Sequence, residues 1–379
     1  MKKLYLMTPG PTPVPEAVML EMAKPIIHHR TTQFQEIIKE VEENLKYVFQ
    51  TKNDVLIFAS SGTGAMEAAV ANLLSRGDTA IVVRGGKFGE RWTEICRAYN
   101  IKPVDIDIEW GKAPSSQVIE DALKKEPNAK AVFVTLCETS TGAETDVKAI
   151  AAIVAKTKAV LVVDAISGLG ACELKTDEWG VDVVVTGSQK GLMIPPGLGF
   201  VSVSPKAWEL VKQSKSPRYY FDFAASKKAL DKTDTPYTPA ITLMIGLAKA
   251  LKMIKEETIE AVLARHEKLA KATRAAVIAM GLELFAPTAP SNAVTPVKAP
   301  QGLDGEQIVK VLKSKYGVWV AGGQAELKGK VFRIAHLGYI TDTDILMTIA
   351  VLEMALVELG VKIKQGAGIA AAQQELMKK

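Results

Sequence analysis

Length, composition and charge exclude several classes of protein. With 379 residues, 48% of them apolar and 23% charged, the chain has the composition of a soluble globular protein large enough for two domains. The net charge of +5 is small and the basic residues are dispersed, so we expect no binding to nucleic acid. The 3 cysteines are far apart and odd in number, and they predict neither a disulfide framework nor a metal site.

The beginning of the chain and its apolar segments bear on its location. The apolar run near residues 4–7 is too short for a signal peptide, and proline and glycine interrupt it. No window approaches the length of apolar residues that a membrane span needs. Together with the unpaired cysteines, these features predict a cytoplasmic protein that does not enter a membrane.

From residue 55 onward, short β-branched runs alternate with amphipathic segments. The runs predict strands at residues 55–58, 79–83, 104–108, 131–135, 160–163, 181–185 and 199–203. The amphipathic segments predict helices at residues 63–74, 89–99, 116–125 and 146–156. This alternation indicates an α/β fold with a mainly parallel sheet covered by helices on both faces. The last strand is expected to run antiparallel, because its connection is too short for a crossover helix.

The second half of the chain predicts a long loop and a smaller α/β unit. Residues 214–239 have no clear period and predict a loop, whose length favours a functional role. The elements predicted after it are helices at 241–254, 258–280, 305–315 and 342–359, strands near 293–297 and 331–335, and a frayed helix or tail at 362–379. We therefore expect an N-terminal arm at 1–20, a large domain at 21–255 and a small domain at 256–379.

One lysine, Lys190, follows an apolar strand and a short polar run, and a Pro-Pro-Gly turn comes soon after it. A lysine in such a place can act as a nucleophilic amine near neutral pH once it is desolvated. Asp164 ends another apolar strand, and Ser61-Gly62-Thr63 joins a third strand to a helix. A lysine for a Schiff base, a carboxylate for a pyridinium nitrogen and a turn for a phosphate are the equipment of a pyridoxal phosphate enzyme.

These three groups are expected to form one site, because ligands of open α/β sheets bind at the carboxyl ends of the strands. Each group has another interpretation when it is taken alone. Ser61 and Thr63 could cap a helix, and Asp164 could cap the segment that follows it. The turn has neither the Gly-Lys-Ser/Thr ending of a Walker loop nor a GxGxxG pattern, which disfavours kinases and dehydrogenases.

Further side chains are candidates for the same site. Phe88 lies among glycines after a strand, and it could stack on a planar ring or pack in the core. Arg333 lies in an apolar strand, where it could clamp a carboxylate or face solvent at a sheet edge. His336 is expected to point the same way as Arg333. His28 and His29 could form a pocket rim, a subunit contact or a metal pair, although adjacent histidines make a poor zinc site.

Together these motifs resemble the class V aminotransferases, in particular the alanine–glyoxylate and serine–glyoxylate (serine–pyruvate) branch. The resemblance covers nearly the whole chain and rests most on Gly187-Ser-Gln-Lys190 with Pro195-Pro-Gly197 after it. The supporting motifs are Thr8-Pro-Gly-Pro11, His29-Arg30, Ser61-Gly62-Thr63, Glu138-Thr-Ser-Thr-Gly142, Val163-Asp164, Tyr237-Thr-Pro239 and Phe332-Arg-Ile-Ala-His336. The resemblance implies the type I fold of PLP-dependent transferases, with a mainly parallel seven-stranded sheet in a large domain and a smaller C-terminal α/β domain.

The resemblance also implies a role for each candidate residue. Lys190 would form the Schiff base with pyridoxal 5'-phosphate, and Asp164 would pair with the ring nitrogen. The other implied cofactor contacts are Ser61, Gly62, Thr63 and Gln189 at the phosphate, Phe88 on the ring, and Thr139 or Ser140 near the phenolic oxygen. Arg333 would bind the substrate carboxylate, with His336 and His29 as further substrate contacts. Thr238 would reach the phosphate of a neighbouring subunit, which implies a homodimer with active sites at the subunit interface.

The implied reaction transfers the amino group of a small amino acid, serine or alanine, to the 2-keto acid glyoxylate or pyruvate by a ping-pong mechanism. An aminoethylphosphonate or aspartate transaminase and a cysteine desulfurase-like lyase stay open as alternatives. A desulfurase needs a cysteine in the small domain, whereas every cysteine here precedes residue 173. A non-enzymatic hydrogenase subunit, a label given to some relatives, is expected to have cysteine clusters, which this sequence lacks.

Overall fold

The computed structural model describes residues 3–378, in which helices alternate with strands. Residues 1, 2 and 379, the ends of the predicted arm and tail, lie outside this part. The strands are β1 (Tyr5–Leu6), β2 (Val55–Phe58), β3 (Thr79–Arg84), β4 (Lys102–Asp107), β5 (Ala131–Thr135), β6 (Cys137–Glu138), β7 (Ala143–Glu144), β8 (Val160–Asp164), β9 (Val183–Gly187), β10 (Gly199–Val203), β11 (Val294–Lys298), β12 (Val318–Trp319), β13 (Ala321–Gly322) and β14 (Val331–Ala335).

The helices of the same residues are α1 (Glu16–Met22), α2 (Thr32–Phe49), α3 (Gly62–Leu73), α4 (Lys87–Ala98), α5 (Ser116–Lys125), α6 (Val147–Val154), α7 (Thr176–Trp179), α8 (Pro205–Gln213), α9 (Phe223–Leu230), α10 (Ile241–Glu257), α11 (Ile259–Ala279), α12 (Gly305–Val311), α13 (Asp342–Glu358) and α14 (Ala367–Leu376). A π-helical turn at Leu312–Tyr316 continues α12. Most of the helices that the sequence predicts agree with these bounds to within a few residues.

In the described residues, the central sheet has 7 strands in the order β2-β10-β9-β8-β5-β3-β4. β10 pairs antiparallel with β9 and β2, whereas the other neighbouring strands are parallel. The predicted α/β fold and the antiparallel strand are therefore confirmed. Every residue of β5, β8 and β9 is buried, which explains their continuous apolar sequences. Full burial of one valine or leucine side chain stabilises the fold by about 1.5–3 kcal/mol.

Helices cover both faces of this sheet. On one face, Phe34 of α2 and Leu247 of α10 belong to an apolar cluster with side chains of β5 and β8. On the other face, Met66 of α3 and Trp92 of α4 pack in a second cluster, in which the Trp92 ring stacks on Phe133 at 4.5 Å. The two clusters thus enclose the middle strands of the sheet between layers of helices.

The predicted loop at residues 214–239 contains the helix α9, so the prediction is wrong over residues 223–230. Asp222 caps this helix by accepting a hydrogen bond from the Ala225 amide at 2.8 Å. Asn72 of α3 holds the chain before and after Asp222, through the Phe221 carbonyl and the Phe223 amide. A helix of 8 residues is too short to show a clear period in a polar segment.

A smaller sheet with the strand order β11-β14-β13 is antiparallel throughout. Phe332 and Ile334 of β14 join an apolar cluster with side chains of α11, α13 and α14. The predicted strand at 331–335 matches β14, and the predicted helix at 342–359 matches α13. The boundary between residues 255 and 256 falls inside α10, and the division into domains stays a prediction.

The segment predicted as a frayed helix or tail contains an ordered helix, α14, so the helical alternative is confirmed over residues 367–376. The helix α14 contributes Ala372 and Leu376 to the smaller apolar cluster. The buried carboxylate of Glu353, on α13, accepts hydrogen bonds from the amides of Gly366, Gly368 and Ile369 at 2.8, 2.7 and 3.3 Å. This cap comes from a helix that precedes it in the chain, and for that reason local sequence does not reveal it.

The N-terminal arm connects the smaller sheet to the segment that carries Lys190. β1 pairs in parallel with β12, and the Met7 carbonyl accepts a hydrogen bond from the Ala335 amide at 3.0 Å. A few residues later, the Thr12 amide donates to the Gln189 carbonyl at 3.1 Å. The arm therefore crosses the carboxyl end of β9, directly beside Lys190.

Candidate active site

Lys190 lies three residues beyond the end of β9 and is buried, with 8% of its surface exposed. Its Nζ atom donates a hydrogen bond to the Pro9 carbonyl of the N-terminal arm. Burial lowers the pKa of this amine from 10.5 to about 8, although the charges of Cys137 and Asp164 oppose the shift. About a tenth of the amine is therefore uncharged at pH 7, a far larger share than for an ordinary lysine, and the uncharged form is the one that acts as a nucleophile or a general base.

Asp164 ends β8 and is 2% exposed. Its Oδ1 atom accepts a hydrogen bond from the Ile166 amide at 2.8 Å. Burial raises the pKa of this carboxyl to about 7, and the charge of Glu138 adds to the rise, whereas Arg91 and Lys190 lower it. A buried carboxyl of this kind favours a cationic or proton-donating partner, which agrees with the predicted pairing to a ring nitrogen.

The turn Ser61-Gly62-Thr63 joins β2 to α3, as the sequence predicts. Ser61 is at the N-cap position of α3 but makes no capping hydrogen bond with its side chain, contrary to the capping interpretation. A Cβ atom on Gly187 would lie 3.2 Å from both the Gly62 amide nitrogen and the Gln189 side-chain oxygen, so the three residues surround one small space. The structure thus brings the predicted phosphate contacts Gly62 and Gln189 together.

The polar groups around the space between Gly62, Gly187 and Gln189 fit an anionic ligand. The Gln189 Oε1 atom is buried and has no hydrogen-bond partner in the described residues. Because the two ends of an amide are assigned from their surroundings, the unpartnered atom is equally well its NH₂ group, a donor suited to phosphate oxygens. Together with the amides at the N-terminus of α3, this donor provides a site for a phosphate, in which Gly62 and Gly187 leave room for close approach.

Phe88 is the second residue of α4, and it is partly buried. The guanidinium of Arg91, one helical turn further on, lies 4.9 Å from the centre of the Phe88 ring. On the facing turn after β6, Thr139 donates a hydrogen bond to the Ser167 hydroxyl at 2.6 Å, and Ser140 donates to the Glu138 carboxylate. Thr139 and Ser140 are both buried at the same edge of the sheet as Asp164.

Arg333 lies in β14, the middle strand of the smaller sheet, and is 5% exposed, so the interpretation as a solvent-facing edge residue is wrong. Its Nε atom donates to the Gly322 carbonyl at 2.9 Å, and its Nη1 atom donates to the Thr139 carbonyl at 3.0 Å. Burial lowers its pKa to about 10, which still leaves the guanidinium charged at neutral pH. The bond to Thr139 joins the smaller sheet to the site at the edge of the central sheet.

His336 does not point toward the site, which corrects the expectation that it shares the orientation of Arg333. It is 0% exposed, and both ring nitrogens are engaged, Nε2 with the Thr295 hydroxyl at 2.9 Å and Nδ1 with the Asn292 carbonyl at 2.8 Å. Burial lowers the pKa of this imidazole to about 3, so it stays neutral. The residue thus holds strands of the smaller sheet together and has no nitrogen left for a substrate.

Two other predicted residues lie apart from Lys190. His29 stacks on His28 with ring centres 4.7 Å apart, and Thr238 is exposed on the segment between α9 and α10. These two segments contact each other, because Arg30 pairs with Asp234 and donates to the Thr235 carbonyl at 3.1 Å. Within residues 3–378, neither His29 nor Thr238 makes a hydrogen bond to Lys190 or Asp164, and their roles stay predictions.

The sequence analysis assigned no role to Arg91 or Glu138, which lie at the same site. Arg91 donates to the Thr63 hydroxyl at 3.1 Å, and its charge affects the pKa of both Asp164 and Lys190. The spacing of Phe88 and Arg91 on a helix was the available signal, since residues three apart share one face. Glu138 follows the buried strand β5, and a charged residue in such a place needs partners.

Residues 3–378 contain no helix that is long and apolar enough to span a membrane. In the same residues, no group of three or more His, Cys, Asp and Glu side chains is placed to hold a metal ion. Cys96, Cys137 and Cys172 are buried and free.

Comparisons with known proteins agree on one family. The family model described as "Aminotransferase class-V" matches residues 4–337. A Bacillus subtilis ureidoglycine–glyoxylate aminotransferase has a crystal structure that superposes with a TM-score of 0.95 at 29% identity, over 100% of this chain and 99% of that one.

The curated relatives carry two kinds of name. A "Soluble hydrogenase, small subunit" of Synechococcus sp. (strain PCC 6716) is 46% identical, over 99% of this chain and 98% of that protein. The L-aspartate–glyoxylate aminotransferase of Paracoccus denitrificans is 39% identical, over 97% of this chain and 94% of its own length. The serine–glyoxylate aminotransferase of Methylorubrum extorquens is 38% identical, over 98% and 96% of the two chains.

Proposed function

Because the chain belongs to the class V aminotransferases and has the type I fold of PLP-dependent transferases, we propose that it moves the amino group of serine or alanine to glyoxylate or pyruvate. One observation carries the proposal: Lys190 and Asp164 are buried at one edge of the central sheet, Arg333 is buried in the smaller sheet and bonded to the Thr139 carbonyl, and burial shifts the pKa of all three. Such shifted groups gather at functional sites. The two relatives named as glyoxylate aminotransferases support glyoxylate as the acceptor.

Pyridoxal 5'-phosphate is the proposed cofactor, and the residues present fit it. Lys190 would hold it covalently, Asp164 would pair with its ring nitrogen, and Phe88 would stack on its ring. Ser61, Gly62, Thr63 and Gln189 would hold its phosphate, with Thr139 or Ser140 near its phenolic oxygen. When bound, the cofactor withdraws electrons from the α-carbon of an attached amino acid, which makes the α-proton acidic.

Arg333 would bind the substrate carboxylate, and Lys190 would transfer the proton. Arg333 offers a charged guanidinium whose orientation is set by the carbonyls of Gly322 and Thr139, and it would bind the carboxylate shared by every donor and acceptor. Lys190, with an amine pKa of about 8, would take the proton from the α-carbon of the substrate with its Nζ atom. In the second half of a ping-pong reaction, the same atom would return a proton to the amino acid that forms on the acceptor.

We also propose that the working form is a homodimer. Thr238 is exposed beside a group of stacked aromatic rings, in which Tyr237 lies 5.7 Å from Tyr219 and 5.3 Å from Tyr220. Tyr219 and Tyr220 are 80% and 41% exposed, and a contiguous group of exposed rings is typical of a surface that binds a protein partner. A second copy of the chain placed here would bring Thr238 to the phosphate site of its neighbour.

Several donors stay as alternatives to serine and alanine. Aspartate is the donor named for one relative, and aminoethylphosphonate is another donor that the same fold could accept. A cysteine desulfurase-like lyase, which would release sulfur from cysteine, is the alternative reaction. The hydrogenase name of another relative does not change the proposal, because that name does not account for a buried lysine, aspartate and arginine in one site.

An activity matrix on the purified protein with pyridoxal phosphate tests the proposal. Serine, alanine, aspartate, aminoethylphosphonate and cysteine are each combined with glyoxylate and pyruvate, and the products are measured. We expect the highest kcat/KM for serine or alanine, and parallel lines in double-reciprocal plots, which are typical of a ping-pong reaction. Lys190→Ala should abolish transfer, whereas Lys148→Ala, at an exposed position, should not. Absence of transfer with every pair, or full activity of Lys190→Ala, would refute the proposal.

A further inference from the structure

The first turn of α4, which carries Phe88, lacks a cap of its own. Gly86 occupies the N-cap position and has no side chain to offer. The first hydrogen bond within the helix runs from the Glu90 amide to the Gly86 carbonyl at 3.0 Å. The amides of Lys87, Phe88 and Gly89 therefore need acceptors from outside the helix.

The turn after β6 supplies these acceptors. The Glu138 carboxylate accepts from the Phe88 amide at 3.1 Å and from the Gly89 amide at 2.9 Å. The Ser140 hydroxyl accepts from the Lys87 amide at 3.1 Å and donates to Glu138. A Cβ atom on Gly86 would lie 2.5 Å from the Cγ and Cδ atoms of Glu138, so only glycine admits the carboxylate to the end of the helix.

The same turn also orients groups on the other side of the site. The Ser140 amide donates to Glu138 Oε1 at 3.2 Å, so the carboxylate holds its own turn as well as α4. Within that turn, the Thr139 carbonyl accepts the hydrogen bond from Arg333 Nη1. Glu138 thus lies between the ring of Phe88 and the carbonyl that orients Arg333.

We infer that Glu138 is a positioning residue, whose carboxylate fixes the Phe88 ring relative to the Thr139–Ser140 turn and, through that turn, relative to Arg333. This inference rests on the proposed function, since it assigns Phe88 to the cofactor ring and Arg333 to the substrate carboxylate. A single carboxylate that accepts hydrogen bonds from two segments restricts both of them, and charge-assisted bonds are stronger than neutral ones.

The environment of Glu138 leaves few other residue types for this role. Its side chain is 4% exposed, and both carboxylate oxygens face donors. Burial raises the pKa of the carboxyl, while the hydrogen bonds from Ser140, Gly89 and Phe88 oppose the rise. A glutamine has the same length, but its NH₂ group would be set against an N–H or O–H donor, so one side of the contact would be lost.

The first test uses the protein without cofactor and measures amide hydrogen exchange in a peptide that covers residues 86–91. For Glu138→Gln we expect exchange of the first amides of α4 to be at least about tenfold faster, because their charged acceptor is lost. Glu209→Gln is the matched control, since the side chain of Glu209 on α8 is 63% exposed and pairs with Lys212 of the same helix, and it should leave these amides unchanged. Equal protection in Glu138→Gln and the wild type would overturn the inference.

The second test uses the protein loaded with pyridoxal phosphate and measures visible circular dichroism per bound cofactor, together with kcat and KM. If Glu138 positions the ring, Glu138→Gln should lose at least half of the induced signal at full occupancy, and kcat should fall by about tenfold or more. If it only stabilises the fold, the Tm falls while the signal and kcat of the folded, loaded protein stay at wild-type values, and the inference is wrong.

If Glu138→Gln does not fold, a second variant tests the inference. Glu138→Asp keeps the charge but is shorter by one methylene group, so it should show the same direction of change in both measurements; wild-type behaviour of Glu138→Asp in both would overturn the inference. The outcomes also separate the two proposals. A wild-type protein that binds no cofactor refutes the proposed function, whereas an unchanged exchange rate in Glu138→Gln refutes the role of Glu138 alone.

Discussion

At the scale of single residues, burial moves the pKa values of Lys190 and Asp164 toward each other. The amine is lowered to about 8 and the carboxyl is raised to about 7, mainly because both are removed from water. In the proposed function, these shifts would suit the amine to attack an electrophilic carbon and the carboxyl to pair with a protonated ring nitrogen. The charges of Arg91 and Arg333 disfavour the protonated amine further.

The shift of Lys190 predicts how fast the cofactor-free protein captures pyridoxal phosphate at different pH values. Only the neutral amine attacks an aldehyde, so the rate should rise with pH and level off above a midpoint near the amine pKa of about 8. Stopped-flow absorbance from about pH 6 to about pH 11 measures this midpoint, which lies near 10.5 for an ordinary lysine. A midpoint at the ordinary value would show that Lys190 is not buried as described.

Arg333 provides a second prediction at this scale. Arg333→Lys keeps a positive charge but loses the planar group that two carbonyls orient, so kcat/KM for the amino donor should fall by about tenfold to hundredfold. Steady-state kinetics measure the change. Arg97→Lys on α4 serves as the control, because the side chain of Arg97 is 63% exposed and it should keep full activity. Equal kinetics for both variants would contradict a role for Arg333 in carboxylate binding.

At the scale of elements, the agreement between sequence and structure depends on how local the signal is. The strands β5, β8 and β9 are short apolar runs buried on both faces, and their sequences alone predict them. The helices α9 and α14 depend on contacts with Asn72 and Glu353, which lie on other helices. The sequence predicts a loop in place of α9 and only a frayed helix or tail in place of α14. His336 was assigned to the site from its distance to Arg333 along the chain, but its ring points into the smaller sheet.

In the site, too, residues placed by local sequence are predicted better than residues placed by contacts with other segments. Lys190, Asp164 and Gly62 lie at or just after the carboxyl ends of strands. Ligands of open α/β sheets bind at these ends, so the sequence alone predicts that the three residues share one edge of the sheet. Glu138 and Arg91 act through contacts with other segments, and a single sequence does not contain those contacts. Sequence reasoning thus predicts the groups at strand ends well, and the groups that orient them poorly.

The N-terminal arm provides a prediction at the scale of elements. Gly10 has φ at +134°, and a Cβ atom there would overlap the Nζ and Cε atoms of Lys190 and lie 2.7 Å from Cδ. Gly10→Ala should therefore displace the flexible end of the Lys190 side chain, or the arm beside it, and reduce kcat by about tenfold or more. Gly77→Ala is the control, because Gly77 also has a positive φ, at +88°, but nothing lies within 4 Å of its Cβ position.

Measurements of activity and thermal unfolding on these two glycine variants separate two effects. One is the backbone strain of alanine at a positive φ, and the other is overlap of the new Cβ atom with Lys190. Both should lose stability, since alanine at positive φ costs about 1–2 kcal/mol. Only Gly10→Ala should lose turnover when it is measured well below its Tm. If Gly10→Ala turned over at the wild-type rate, contact between the arm and Lys190 would have no part in catalysis.

At the scale of the whole molecule, the site draws on both sheets and on the arm between them. Arg333 reaches the site from the smaller sheet through the Thr139 carbonyl, while the arm bonds to Ala335 at one end and to Gln189 and Lys190 at the other. Movement of the smaller sheet would therefore change the distance between the group proposed to bind the carboxylate and the amine. In the proposed homodimer, the exposed tyrosines beside Thr238 would extend this arrangement to a second copy of the chain.

The proposed homodimer leads to a prediction for the whole protein. Sedimentation velocity at micromolar concentration should give the mass of two chains, because a partner is needed to cover Tyr219. Tyr219→Glu should shift the protein toward monomers. It should also reduce cofactor affinity, because the phosphate site of each chain would lose its contact with Thr238 of the other chain. Gln301→Glu, which adds the same single negative charge at another exposed position, should leave the dimer intact. A monomeric wild type with full activity would contradict this prediction.

Mapping the covalent attachment of the cofactor tests the central claim most directly. The protein is incubated with pyridoxal phosphate, reduced with borohydride and digested, and the modified peptide is identified by mass spectrometry. The site described here predicts one main adduct, on Lys190, that is lost when serine or alanine is added before the reduction. An adduct spread over surface lysines, or a single adduct on another lysine, would contradict the assignment of Lys190 and of the site built around it.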